Sequence, residues 1–113
     1  MLEFLRSFCL SLPETTEEPH FEKTSFRVRK KIFATYDFAT GLACLKLSEK
    51  DQDLFSLFDP SAVFPVPNKW GKHGWTLAKI DQLEQALICD LVRSAYHQVA
   101  PKKLPPSPTP PGT

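Results

Sequence analysis

Residues 24–37 read Thr24-Ser25-Phe26-Arg27-Val28-Arg29-Lys30-Lys31-Ile32-Phe33-Ala34-Thr35-Tyr36-Asp37, and their period decides the fold. Phe26 and Val28 alternate with Arg27 and Arg29, the two-residue repeat of a half-buried strand. Ile32 to Asp37 is rich in β-branched and aromatic residues and reads as a second strand. Lys30-Lys31 marks the turn between them. A two-residue turn of the primed type would strain both lysines, so a longer or bulged turn is expected.

The same reading extends toward the C-terminus. Thr40-Gly41 makes the next turn, and Leu42 to Leu47 is a third strand with Ala43, Leu45 and Leu47 on one face. Ser48 reads as a helix N-cap, with Asp51 as the partner carboxylate of a capping box. Leu54, Phe55, Leu57 and Phe58 form the apolar stripe of a short helix that ends near Asp59-Pro60. Residues 61–74 are irregular, because Pro65, Pro67, Gly71 and Gly74 interrupt regular structure. Trp75 to Ile80 is a fourth strand, and Trp75, at its start, is assigned to the core. Asp81, with Glu84 three residues on, caps a long helix. Its stripe runs Leu83, Leu87, Ile88, Leu91, Val92, Ala95, Tyr96, Val99 and stops before Pro101.

Toward the N-terminus, Leu2, Leu5, Phe8, Cys9 and Leu12 recur at helical spacing until Pro13. Residues 14–22 are expected to be an acidic loop broken by Pro19. The element order is α-β-β-β-α-β-α. Hairpin-linked strands flanked by helices imply an α+β fold, an antiparallel sheet with helices packed on one face. Residues 1–103 form one domain, and residues 104–113 are a Pro-rich tail expected to be extended and disordered.

Three segments resemble the MmcQ/YjbR-like family. The first is Glu18-Pro19-His20-Phe21-Glu22-Lys23-Thr24-Ser25-Phe26-Arg27-Val28, followed by Lys31-Ile32-Phe33-Ala34. The second is Trp70-Gly71-Lys72-His73-Gly74-Trp75-Thr76-Leu77, and the third is Ser94 to Leu104. They stand in the family's order. The resemblance implies a frataxin-like (CyaY-like) sandwich, a small bacterial protein and a double-wing DNA-binding role. It supplies no catalytic residues. The Lys30-Lys31 turn departs from the family, whose members often hold a glycine there.

Composition sets limits on function. Of 113 residues, 42% are hydrophobic and 24% charged, which suits a soluble domain able to build its own core. No apolar run approaches the roughly 20 residues of a membrane span. The N-terminus has no basic region or small-residue cleavage site, so a cytoplasmic location is expected. Cys9, Cys44 and Cys89 are odd in number and widely spaced, which argues against a disulfide framework or a zinc ribbon and for inert thiols. His20, His73 and His97 are scattered, and no nucleophile elbow, P-loop or dinucleotide fingerprint occurs. No enzymatic activity, cofactor or metal is expected. A hard cation needs several converging carboxylates, and Glu14, Glu17, Glu18 and Glu22 read instead as a solvated loop.

The net charge of +1 hides local asymmetry: residues 1–22 carry −4, residues 23–50 carry +5, residues 51–68 carry −3 and residues 69–80 carry +3. Arg27, Arg29, Lys30 and Lys31 crowd the first hairpin, and Lys69 and Lys72 crowd the loop before the fourth strand. Two basic wings pointing the same way would straddle a phosphate backbone, with arginines on alternate strand positions sharing a face. Trp70 between them would stack on a base. Charge on a hairpin also serves simply as solvated edge protection. The alternative is a small-molecule or protein-binding pocket built from Phe64, Trp70, Trp75, Tyr96 and His97.

Overall fold

The computed structural model describes residues 2–101. Helix α1 (Leu2–Leu10) leads into strands β1 (Thr15–His20), β2 (Lys23–Val28), β3 (Lys31–Asp37) and β4 (Leu42–Lys46). Helix α2 (Glu49–Phe58), strand β5 (Val63–Pro65), the short helix α3 (Lys69–Lys72) and strand β6 (Trp75–Lys79) follow. A 3-10 turn (Ile80–Gln82) precedes the long helix α4 (Gln85–Val99). The six strands form one sheet in the order β1-β2-β3-β4-β6-β5, antiparallel throughout. The expected tail, residues 104–113, lies outside the described residues.

The acidic stretch is an edge strand rather than a loop. Thr15 to His20 pairs along its whole length with Val28 to Lys23. An edge strand tolerates Pro19 and its charges because one side needs no ladder partner. Its carboxylates are engaged. Glu17 receives two hydrogen bonds from the Arg6 guanidinium, at 2.7 and 3.1 Å, and one from Thr24 Oγ1 at 2.7 Å. The Arg6 hydrogen bonds, supported by Thr24, hold the Glu17 carboxyl below its ordinary range even though burial opposes them.

The β2–β3 turn has two central residues, because Val28 pairs with Lys31. Arg29 (φ 47°) and Lys30 (φ 71°) both take the left-handed conformation that a primed turn demands, so the expected longer turn is not formed. The irregularity lies inside the hairpin instead. Phe26 pairs with Ala34 and Arg27 with Ile32, which leaves Phe33 as an extra residue. The resulting bulge allows both Phe33 and Ala34 to be fully buried. Phe33 meets the Tyr96 ring edge-on at 5.6 Å.

The core lies between one face of the sheet and the helices. Phe26, Leu45 and Ala78 from the strands share one buried cluster with Leu91, Val92 and Ala95 of α4 and with Leu5 and Cys9 of α1. Burial pushes the Cys9 thiol far up and the Cys44 thiol to about 11, so both are neutral at pH 7.

Four further details depart from the sequence reading. The stretch 61–74, expected to be irregular, holds strand β5 and helix α3, so the order α-β-β-β-α-β-α gains these two elements besides β1. Ser48 does cap α2, accepting from the Asp51 amide at 3.1 Å, but the Asp51 carboxylate accepts from Ser94 Oγ at 2.6 Å, tying α2 to α4. Helix α4 starts at Gln85 after Glu84, while Asp81 sits in the 3-10 turn. The expected stripe of α2 is mostly outside, with Leu57 81% and Phe58 75% exposed. Its buried residue is Gln52, whose Nε2 donates to Gly71 O at 2.9 Å, Thr76 Oγ1 at 3.1 Å and Trp75 O at 3.2 Å.

Candidate functional site

Strand alternation sends one set of side chains to the helices and the other to the opposite, open face. One row on that face crosses the whole sheet: Glu18, Ser25, Thr35, Cys44, Leu77 and Phe64, each opposite the next in register. Arg27, Lys46 and Trp75 lie one step toward one end of the strands. Lys23, Asp37, Leu42 and Lys79 lie one step toward the other. A hollow of about 420 Å³ opens here, bounded by His20, Lys23, Ile32, Thr35, Cys44, Val66, Trp70 and Trp75. It crosses the twisted sheet from the His20–Lys23 corner to the two tryptophans.

Aromatic rings and lysines alternate along this side. Lys46 Nζ sits 5.8 Å from the Trp75 ring, Lys69 Nζ 5.9 Å from Trp70, and Lys79 Nζ 5.9 Å from Phe64. These are cation–π distances. Lys46 Nζ also donates to the carbonyl of His73, which fixes the lysine beside the loop. Trp70 is 53% exposed. Its position follows from the local sequence. Asn68 caps α3 by accepting from the Trp70 amide at 2.8 Å. Gly71 lets the turn pass Val66, whose carbonyl oxygen would lie 2.1 Å from a Cβ at that position.

The antiparallel order brings the two basic segments to one end of the sheet. Strand β2 runs toward the Arg29-Lys30 turn, β3 runs away from it, β4 returns, and β6 runs away from α3. Lys30, Lys31, Lys69 and Lys72 are exposed at that end. The arginines do not share a face as expected. Arg27 lies over the open face, donating from Nε to Ser25 Oγ at 2.9 Å and from its terminal nitrogen to Pro19 O at 3.4 Å. Arg29 is in the turn, and its guanidinium pairs with Glu14 through two bonds of 3.1 Å.

The alternative pocket is divided by the sheet. Phe64, Trp70 and Trp75 belong to the open side. Tyr96 is buried on the helical side, where its hydroxyl donates to Pro13 O at 2.8 Å. His97 is exposed on α4, in edge contact with the Tyr96 ring. Trp75 is half-buried on the open face instead of sitting in the core. The site residues missed by sequence reasoning are His20, Lys23, Thr35, Cys44, Lys46 and Lys79. Their only signal was the alternation of their strands, and with β1 read as a loop the open face had no edge.

A second hollow, about 580 Å³, lies between α2 and α4 and is lined by Leu54, Phe55, Phe58, Leu83 and Leu87, with Asp59, Glu84 and Asp90 at its rim. Among the described residues no group of three His, Cys, Asp or Glu side chains converges for a metal ion, and no helix is long and apolar enough to cross a membrane.

Residues 10–98 match the family model described as YjbR. Among solved structures, the chain is similar to the crystal structure of Deinococcus radiodurans protein DR2400, which carries the family-model domain DUF419. The TM-score is 0.78 at 24% identity, over 93% of this chain and 82% of that one, a likeness of fold. No curated protein matches.

Proposed function

The chain belongs to the YjbR family, and from that premise we propose that it binds nucleic acid without sequence preference, through the basic end of its sheet. Lys30, Lys31, Lys69 and Lys72 contact phosphates, Arg27 adds a cation over the open face, and Trp70 stacks. Arg29 is a minor contributor because Glu14 already pairs with it. The observation that carries this reading is the meeting of two sequence-distant basic segments at one end of the sheet, beside an exposed tryptophan.

The turn itself supports it. Arg29 and Lys30 occupy left-handed positions where asparagine and glycine are cheaper by roughly 1–2 kcal/mol per residue. Cations kept at that cost suit a site that needs charge at the tip. Among the acids of β1 and α1, Glu17 opposes it least, since it is paired with Arg6.

Fluorescence anisotropy of labelled random nucleic acid, titrated at several salt concentrations, tests the reading. The expected dissociation constant is about 10⁻⁴ to 10⁻⁶ M at physiological salt. Four or five engaged phosphates give a log–log slope near −4 on duplex. The combined Lys30→Ala, Lys31→Ala, Lys69→Ala and Lys72→Ala variant, which keeps Arg27, should bring that slope to about −1 or shallower. Absence of binding at low salt would sink the reading.

A further inference from the structure

We infer that the open face takes unpaired bases, so that the preferred ligand is a single strand rather than a duplex; this rests on the nucleic-acid reading above and narrows it. A duplex hides the faces of its bases and offers only phosphates and groove edges to a protein surface. Single strands are held differently, with splayed bases on aromatic rings and phosphates on nearby cations. The open face is built to that second pattern. Trp70, Trp75 and Phe64 each carry a lysine ammonium within 6 Å of the ring, on Lys69, Lys46 and Lys79 respectively. Each pair presents a surface for a base with a positive charge beside it.

The hollow next to the tryptophans supplies depth. Its 420 Å³ sits at the lower end of the roughly 300–1,000 Å³ range of small-ligand sites. Its floor includes Thr35, whose hydroxyl is a donor and acceptor for a base edge, and the Cys44 thiol, which stays neutral. Lys23 stands at the far corner, within reach of the next phosphate. Charge complementarity favours a polyanion over a neutral occupant. Lys23, Arg27, Lys46 and Lys79 project from this face, against Glu18 and Asp37. Asp37 is partly committed, since its Oδ1 accepts from the Ala39 amide.

The test uses the full 113-residue chain with labelled oligothymidylate of about 12 nucleotides and a random duplex of equal length. The expected result is binding of the single strand at least about tenfold tighter than the duplex, with quenching of tryptophan fluorescence. Trp70→Ala should weaken the single strand about tenfold and the duplex less than about twofold. Trp70→Phe keeps a ring and should recover most of the loss. Trp70 is largely exposed, so neither variant threatens the fold. Equal affinity for the two ligands overturns the inference and leaves the nucleic-acid reading standing. So does an equal loss on both in Trp70→Ala. Binding of neither ligand overturns the inference together with the reading it rests on.

Discussion

The two hollows, one on each side of the sheet, differ in what surrounds them. The hollow between α2 and α4 is the larger of the two, at about 580 Å³, and combines leucines and phenylalanines with three carboxylates. Its rim is Asp59, Glu84 and Asp90, which repel a phosphate. The smaller hollow on the open face has Lys23 on its wall and lysine–aromatic pairs beside it. Size alone would choose the first. Charge chooses the second for any anionic ligand, because a cleft lined by one sign of charge concentrates the opposite ion.

The widest separation between the two sides is expected from Gly74→Ala. Gly74 has φ 97°, and a Cβ there would sit 1.9 Å from Leu47 O. The backbone that presents α3 and Trp75 must shift, at a cost of about 2–4 kcal/mol in urea unfolding. Nucleic-acid binding should fall with it, while the α2–α4 hollow keeps its lining. Retained binding at unchanged stability would show that the loop does not position the tryptophans.

A smaller effect, on the helical side alone, is expected from Glu17→Gln. It weakens a bidentate, partly buried pair with Arg6 and should cost about 1–2 kcal/mol. The folded-state carboxyl is lowered, so its contribution is present above the unfolded value near 4.3 and is lost as pH falls through the folded value. The urea midpoint of the native chain should therefore drop on acidification below about pH 4.3, and less steeply in the variant. Nucleic-acid affinity at neutral pH should not weaken, which separates stability from binding.

The smallest change is expected from Lys30→Gly. It relieves one left-handed residue and should stabilise the chain by about 0.5–1 kcal/mol. It also removes one phosphate contact, so the salt slope on duplex should become shallower by about 1. Stability and binding moving in opposite directions is the signature of charge retained against local preference. An unchanged slope would remove Lys30 from the interface.

Much of the fold could be read from local pattern. The β2–β3 hairpin, β4, β6 and the stripe of α4 follow from periods of two and of 3.6, and the Ser48 cap from its place before α2. Strand β1 escaped because Glu17, Glu18 and Pro19 carry no strand signature. Only pairing with β2 makes it a strand. The bulge at Phe33 escaped for a similar reason, since it is a relation between two chains of backbone rather than a property of either. Of the site, the basic blocks and Trp70 were visible as composition. The open face was not, because its central row takes one residue from each of six strands.

The sequence by itself determined the class of fold, the core-facing stripe of α4 and the segments where positive charge is concentrated, because each depends on residues within a turn or two of one another. The tertiary structure decided which side of the sheet each aromatic residue faces. It set Tyr96 against Phe33 among the helices and Trp75 on the open face. It also decided that the Arg29-Lys30 turn and α3 share one end. Those outcomes follow from strand order and register, which arise from hydrogen bonds between segments far apart in the chain.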